Sequence, residues 1–388
     1  MNYHLMVDDK FIDGFIDAAE KVAPGMNTYI FTFNPPGNYV KSTRGHFAPY
    51  GSSVLSNMIS KITAGDRVFV HWFNDQLLPY IENLPAETPL HLFFWGGDFL
   101  EQPKHFQQFN LEPLTRKFLS RSNRFSMFRL SKNPMNYLRQ LARFLFLKQR
   151  LEKERKDKVN RRSRFLTRLN FFCHWNEMDL DRIKEAYPCN AVFKPFFYDF
   201  GFDKFPSEVL SESPEGTRTI YLGNSASIPN NHIDALYALE QFKNEDVKII
   251  CPLSYGNARY GDYVSKIGKR IFGEKFTDLR QYMPIEEYFK MIMKLDVIVM
   301  YHNRTQAAAN IFAFLRMGKK VFLKRESTIF RLAELHGIKV FDANQIESYS
   351  FEKLVSSLTE ETKIINNKLV NEIFSETNRY EYMKKLLV

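Results

Sequence analysis

A strand–helix alternation that runs through the chain twice limits its fold more than any other feature. In the first run, Tyr3–Val7, Asn27–Phe33, Arg67–Trp72 and Leu90–Trp95 are short β-branched or aromatic stretches that read as strands. Between them Phe11–Val22, Ser53–Ile62 and Pro79–Leu84 read as helices, closed by Pro and Gly. From Arg218 the alternation restarts, with strands at Thr219–Leu222, Val247–Cys251, Asp296–Tyr301 and Lys320–Leu323. Such alternation places helices over both faces of a parallel sheet. A chain of 388 residues exceeds one ordinary core. The expectation is an α/β protein with two Rossmann-like domains, 1–205 and 206–370, hinged over 206–217. A C-terminal helix over 371–388 follows, and its return to the N-terminal domain stays open.

Charge separates one segment from the rest. Between Thr115 and Asn170 there are 18 Lys or Arg and three acidic residues, a net of +15 that exceeds the whole chain's +10. This segment is a basic helical insertion in the N-terminal domain. Leu138, Leu141, Phe144 and Leu145 recur at helical spacing over Pro134–Lys153. Phe118, Phe125, Phe128 and Phe165 are set among basic residues, and Glu152–Arg162 reads as a solvated helix or a loop. Three readings fit: a headgroup-level contact with an anionic membrane, nucleic-acid binding, or a helical pair packed on its own domain. The membrane surface is the expected partner, and nucleic acid is not. The N-terminus has no signal-peptide pattern and no run is long enough to span a bilayer. Three scattered cysteines suit a reducing, cytoplasmic compartment.

The stretch Thr219–Leu236 offers the clearest chemistry. A strand, the turn Gly223-Asn224-Ser225, and a helix led by Pro229, Asn230, Asn231 and His232 present main-chain N–H groups to an anion. Other polar residues cluster at strand ends of the same domain: Ser254 and Tyr255, Tyr282, then His302, Asn303, Arg304, Gln306 and Asn310, then Lys324, Arg325 and Glu326. Arg304 and Arg325 have the forked donors that suit a diphosphate, and Glu326 suits sugar hydroxyls. A nucleoside diphosphate-sugar fits this inventory. No Walker, GxGxxG, HExxH, GxSxG or CxxC pattern occurs, and no DxD clamp. The expectation is therefore no resident cofactor and no metal, with the leaving diphosphate stabilised by Arg, Lys and main-chain donors. In the N-terminal half, His71 and Asp98 stand at strand ends.

The pieces YLGNSASIPNNHIDAL, VKIICPLSYG and EEYFKMIMKLDVIVM, with HNRTQ, LKRES, FVHWFN and FFWGGD, resemble the family 56 glycosyltransferases. The resemblance covers most of residues 65–112 and 170–345. It implies the GT-B architecture: two Rossmann-like domains facing across a cleft, the donor on the C-terminal wall and the acceptor on the N-terminal one. By matching position it implies Gly223, Asn224, Ser225, His232, Pro252, Tyr255, Arg304, Gln306, Arg325 and Glu326 on the donor side. On the acceptor side it implies His71, Asn74, Trp95, Gly96 and Asp98. The reaction it implies is transfer of a deoxyhexose onto a polyprenyl-diphosphate-linked saccharide. The sugar would be 4-acetamido-4,6-dideoxygalactose from a TDP-sugar. GDP-fucose with another glycan acceptor is the alternative, and a non-catalytic nucleic-acid-binding protein is the competing class. Asp98 is the expected general base and His71 the second choice. The enzyme would lie at the cytoplasmic face of a bacterial inner membrane. The basic insertion has no counterpart in the family pattern.

Overall fold

The computed structural model describes residues 1–101, 104–125, 134–202, 216–281, 283 and 285–388. Two compact units make up the chain. The first holds Met1–Phe106, Phe146–Phe200 and Phe374–Val388; the second holds Gln107–Leu145 and Gly201–Ile373.

In the first unit, β1 (Asn2–Met6), β2 (Asn27–Phe31), β3 (Gly45–Phe47), β4 (Arg67–His71), β5 (Leu90–Phe93), β6 (Phe171–His174) and β7 (Val192–Pro195) form one parallel sheet. Their order is β3-β2-β1-β4-β5-β6-β7. Helices cover both faces, so the central strands are buried along nearly their whole length rather than on alternate residues. In β4, Val68 and Val70 join Leu5, Leu92, Phe73 and Phe165 on one face, while Phe69 joins Phe15, Phe31 and Phe93 on the other. The second core is completed from the end of the chain: Met383, Leu386 and Leu387 of the helix Glu376–Leu387 pack with Phe15, Ile16 and Ala19. The Asn2 side chain donates to the Leu387 carbonyl at 2.9 Å.

The second unit repeats the plan. β8 (Arg218–Leu222), β9 (Val247–Pro252), β10 (Phe276–Leu279), β11 (Val297–Met300), β12 (Lys320–Leu323) and β13 (Phe341–Asp342) run parallel in the order β10-β9-β8-β11-β12-β13. In each sheet the winding direction reverses once, at β1/β4 and at β8/β11. Parallel sheets open a crevice at that reversal, beyond the carboxyl ends of the strands.

The basic segment departs from expectation. Pro134–Arg168 is one helix of 35 residues, so the charged run Glu152–Arg162 is helical, not a loop. The segment is also shared between the units instead of belonging wholly to the N-terminal domain. Phe165 and Leu166 are sealed in the first core, with the Phe165 ring 4.2 Å from Phe73. Phe118 lies 4.5 Å from Tyr263 in the second unit. Of the four aromatic residues expected at a membrane, Phe165 is thus a core residue and Phe118 is half-buried against the second core. The Phe125 side chain, Phe128 and most of the expected 206–217 hinge lie outside the described residues.

Candidate functional site

At the end of β8, Gly223 turns with φ +70°. A Cβ there would stand 3.0 Å from Cδ2 of His232 and closer still to its Nε2. Glycine is therefore required by an imidazole packed beneath the turn, not only by the approach of a ligand. The Gly223 N–H already donates to the Val299 carbonyl at 2.9 Å. Asn224 and Ser225 are the turn's remaining main-chain donors. Ser225 is buried, and its carbonyl accepts from Asn230 Nδ2 at 2.9 Å.

The loop after β9, which follows Pro252, is zipped to this turn. Ala226 N donates to the Tyr255 carbonyl at 2.8 Å, and Asn257 N to the Ala226 carbonyl at 3.0 Å. Gly256 makes the approach possible: its φ is +112° and a Cβ would lie 2.7 Å from the Ala226 carbonyl carbon. In consequence Asn224 Nδ2 donates to the Tyr255 hydroxyl at 3.2 Å. From the loop after β11, Gln306 Nε2 donates to Asn224 Oδ1 at 2.9 Å. Three expected donor-side residues, carried by three different strands, form one hydrogen-bonded set at the β8/β11 reversal. The Tyr255 side chain remains exposed.

Gln306 leads into the helix Ala308–Arg316, which starts at Ala307 in a left-handed conformation (φ +56°) with no side chain capping it. Asn310 lies in its first turn. The first N–H groups of a helix have no internal partner and carry partial positive charge, a setting that favours a phosphate. Arg304 belongs to the same loop and donates to the Thr305 carbonyl at 3.0 Å.

Two imidazoles lie under this wall. His232 is fully buried, and neither ring nitrogen has a partner among the described residues. Burial, then the neighbouring His302, lowers its pKa to about 3. His302 Nδ1 lies 2.9 Å from the Arg304 carbonyl, to which it must donate. Burial, then Arg304, lowers its pKa to about 4, and its Nε2 is unpartnered. Both rings are neutral at pH 7.

Other expected residues are not brought there. Arg325 is bound by Asp342 at 3.1 Å and Glu334 at 3.8 Å, and lies over the Phe330 ring. Glu326 accepts from Asn344 at 3.0 Å. Of the paired arginine clamp read from the sequence, the second guanidinium is thus held by a β13 carboxylate. Tyr282 lies outside the described residues. Asn303 and Lys324 serve another purpose, through residues that sequence reading passed over. Glu112 binds Lys324 at 3.0 Å and Asn303 at 2.9 Å. Asn231, left-handed before its helix, donates to the Asn110 carbonyl at 2.9 Å. Asp234 accepts from the N–H groups of Leu114 and Thr115, capping the helix Pro113–Phe125. The long sequence separation of these pairs hides them from pattern reading.

Of the residues expected on the acceptor side, His71 has both ring nitrogens occupied. It is fully buried, with Nδ1 2.6 Å from the Tyr198 hydroxyl and Nε2 3.2 Å from His4 Nδ1. His4 Nε2 meets Asn27 Oδ1 at 3.2 Å. Since that amide oxygen can only accept, His4 donates through Nε2, His71 donates to His4, and Tyr198 donates to His71. Its basic lone pair is occupied, and burial, then His4, holds its pKa well below the usual value. Asn74 caps the next turn, accepting from Gln76 N at 3.0 Å.

Asp98 follows Gly96, which turns with φ +96°, and Gly97. Its carboxyl is fully buried and neither oxygen has a partner in hydrogen-bond geometry. Burial raises its pKa to about 7, against nearby main-chain N–H groups and the Arg162 guanidinium. Arg162 donates through Nε to the Asp98 carbonyl at 2.9 Å and through Nη1 to Asp75 at 2.6 Å. Trp95 lies edge-on to Phe11, Trp72 and Tyr198. Among the described residues no group of three or more His, Cys, Asp or Glu converges as a metal would need.

Comparison with known proteins agrees with this frame. The chain superposes over its whole length on a glycosyltransferase from Rickettsia africae ESF-5 with a TM-score of 0.62 at 12% identity, covering 97% of that chain. HepE of Anabaena, solved with UDP and glucose, gives 0.63 at 11% identity, covering 100% of this chain and 99% of that one. Sucrose-phosphate synthase from Thermosynechococcus elongatus gives 0.63 at 8%, with 99% and 97% covered. These likenesses fix the GT-B fold. Residues 182–368 match the family described as 4-alpha-L-fucosyltransferase, glycosyl transferase group 56. With that match carried on a GT-B frame, the chain is a glycosyltransferase whose residues 182–368 resemble group 56.

Proposed function

We propose that the enzyme moves a deoxyhexose from a nucleoside diphosphate to a saccharide carried on polyprenyl diphosphate. The donor is held by the second unit and the acceptor by the first. The observation that carries the donor half is the Asn224–Tyr255–Gln306 set at the β8/β11 reversal, beside the uncapped start of the helix Ala308–Arg316. Main-chain donors, Arg304 and the neutral imidazole of His232 then stabilise the leaving diphosphate without a metal. Asp98 takes the proton of the acceptor hydroxyl. Its oxygens are covered in the structure, so the Gly96–Gly97 turn must shift when the acceptor arrives. The sugar is 4-acetamido-4,6-dideoxygalactose on TDP. Fucose on GDP is the second reading, favoured by the family description's reference to fucosyl transfer.

A thermal-shift series with TDP, UDP and GDP in the presence of a chelator tests the donor half. One nucleotide should raise the midpoint, since a ligand of the folded state stabilises by about 2.7 kcal/mol at 100 times its Kd. No shift with any of them would sink the donor assignment.

The acceptor would be met at an anionic membrane surface. Phe146 and Leu151 are exposed on the basic helix, next to exposed Arg150, Lys153 and Lys156. Each interfacial cation contributes about 1 kcal/mol to such binding. Among the described residues no helix is long and apolar enough to cross a membrane. Vesicles containing anionic lipid should carry the protein down in a spin assay, and Phe146→Glu with Leu151→Glu should leave most of it in solution. Equal sedimentation of the two proteins would remove the membrane role from this helix.

A further inference from the structure

The first unit holds a half-buried indole whose position is over-determined. Trp72 follows β4 directly, at the β1/β4 reversal. Its φ is +71°, and it is one of three non-glycine residues in the described chain with a positive φ. That conformation costs an L-residue about 1–2 kcal/mol. A bulky side chain persists there only when its surroundings enforce it, and such residues cluster at binding sites. Here the enforcement is visible. Gly97 leaves room for the indole, since a Cβ on it would lie 2.9 Å from Trp72 Cη2. Trp95 abuts the same ring edge-on, with centroids 5.7 Å apart and planes at 74°. Trp95 is in turn wedged between Phe11 at 5.7 Å and Tyr198 at 5.4 Å. Yet Trp72 is not sealed in a core: unlike its neighbours His71 and Phe73, it keeps part of its surface open. Burial alone does not account for a strained, braced and partly open indole. A ligand that stacks on it does.

The class of ligand follows from the chemistry. An indole face is electron-rich and apolar, and it attracts slightly positive C–H groups. A pyranose offers a face of such C–H groups with hydroxyls around its rim. Asp98, whose pKa lies close to neutrality, is the residue after Gly97, on which Trp72 rests. We propose that Trp72 is the stacking platform for the terminal pyranose of the acceptor and sets the angle at which its hydroxyl meets Asp98. This rests on the glycosyl-transfer reading above.

Tryptophan fluorescence tests it directly, because the chain has three tryptophans, Trp72, Trp95 and Trp175. The full-length protein is titrated with N,N′-diacetylchitobiose and with maltose, as pyranosides with and without acetamido groups. At least one should change the emission. Trp175→Phe should keep that response and Trp72→Phe should lose it. Trp72→Gly, which relieves the left-handed strain, should lower saccharide affinity by about tenfold or more while the nucleotide thermal shift persists. No response of the wild-type protein to either saccharide, or an unchanged response in Trp72→Phe, overturns the platform. So does a Trp72→Gly variant that loses thermal stability but not saccharide affinity, which would make the indole a packing residue. Loss of the nucleotide shift in the wild-type protein would instead overturn the glycosyl-transfer reading.

Discussion

Gly223→Ala is expected to lower stability by about 2–5 kcal/mol and to abolish nucleotide binding. Two costs combine. The left-handed backbone penalises any Cβ by about 1–2 kcal/mol. The same Cβ would press into His232, which is fully buried and has no space to retreat; overpacking of that kind costs about 1–3 kcal/mol. For a unit of this size the melting midpoint should fall by about 10 °C. Removing the imidazole separates the two costs. His232→Ala alone opens a cavity, but in the Gly223→Ala background it should restore about 2 kcal/mol, a coupling readable from a double-mutant cycle in urea. Additive effects of the two substitutions would mean that the ring does not dictate the glycine.

Asp98→Asn is expected to make a more stable and nearly inactive enzyme. The ionised carboxyl is buried without partners, and its pKa stands near 7 rather than 3.8. A carboxyl raised in the folded state leaves stability untouched below about pH 4. It takes stability away as the pH climbs towards 7, to a total of about 4 kcal/mol. The variant's advantage over the wild type should therefore be full at pH 8 and less than half of that at pH 5. Turnover should fall by about 10²–10⁴-fold, the range of a lost general base, and the limb of the pH–rate profile near 7 should vanish. A variant that gains stability and keeps its turnover would show the carboxyl to be an unhelpful structural residue. One that loses both would show it to be a needed hydrogen-bond partner.

The two sheets were legible because their strands carry local signals. β11 is short and wholly apolar, β12 is apolar after Lys320, both are flanked by polar turns, and both occur where they were read. β3 escaped because its three residues have no pattern of their own and are placed by pairing with Tyr29–Phe31. The meeting of Asn224, Tyr255 and Gln306 could be expected because strand ends at one edge of a parallel sheet converge. The Arg325 ion pair could not be read in the same way: strand position locates a Cα but not the partner of a long side chain, here Asp342. His71 looked catalytic because residue type alone does not reveal that Tyr198 occupies its lone pair. The strain at Trp72 is equally silent in the sequence, since nothing in FVHWFN marks a left-handed residue.

The first unit draws its strands from the start of the chain and part of its core from residues 383–387, with the whole second unit lying between. Domains usually fold in the order in which they are synthesised. Here the earlier one has every strand of its sheet in hand by Pro195, yet the face of the helix Ile12–Val22 waits uncovered for Met383 and Leu386. During translation that greasy surface is the part of the nascent protein most in need of a chaperone.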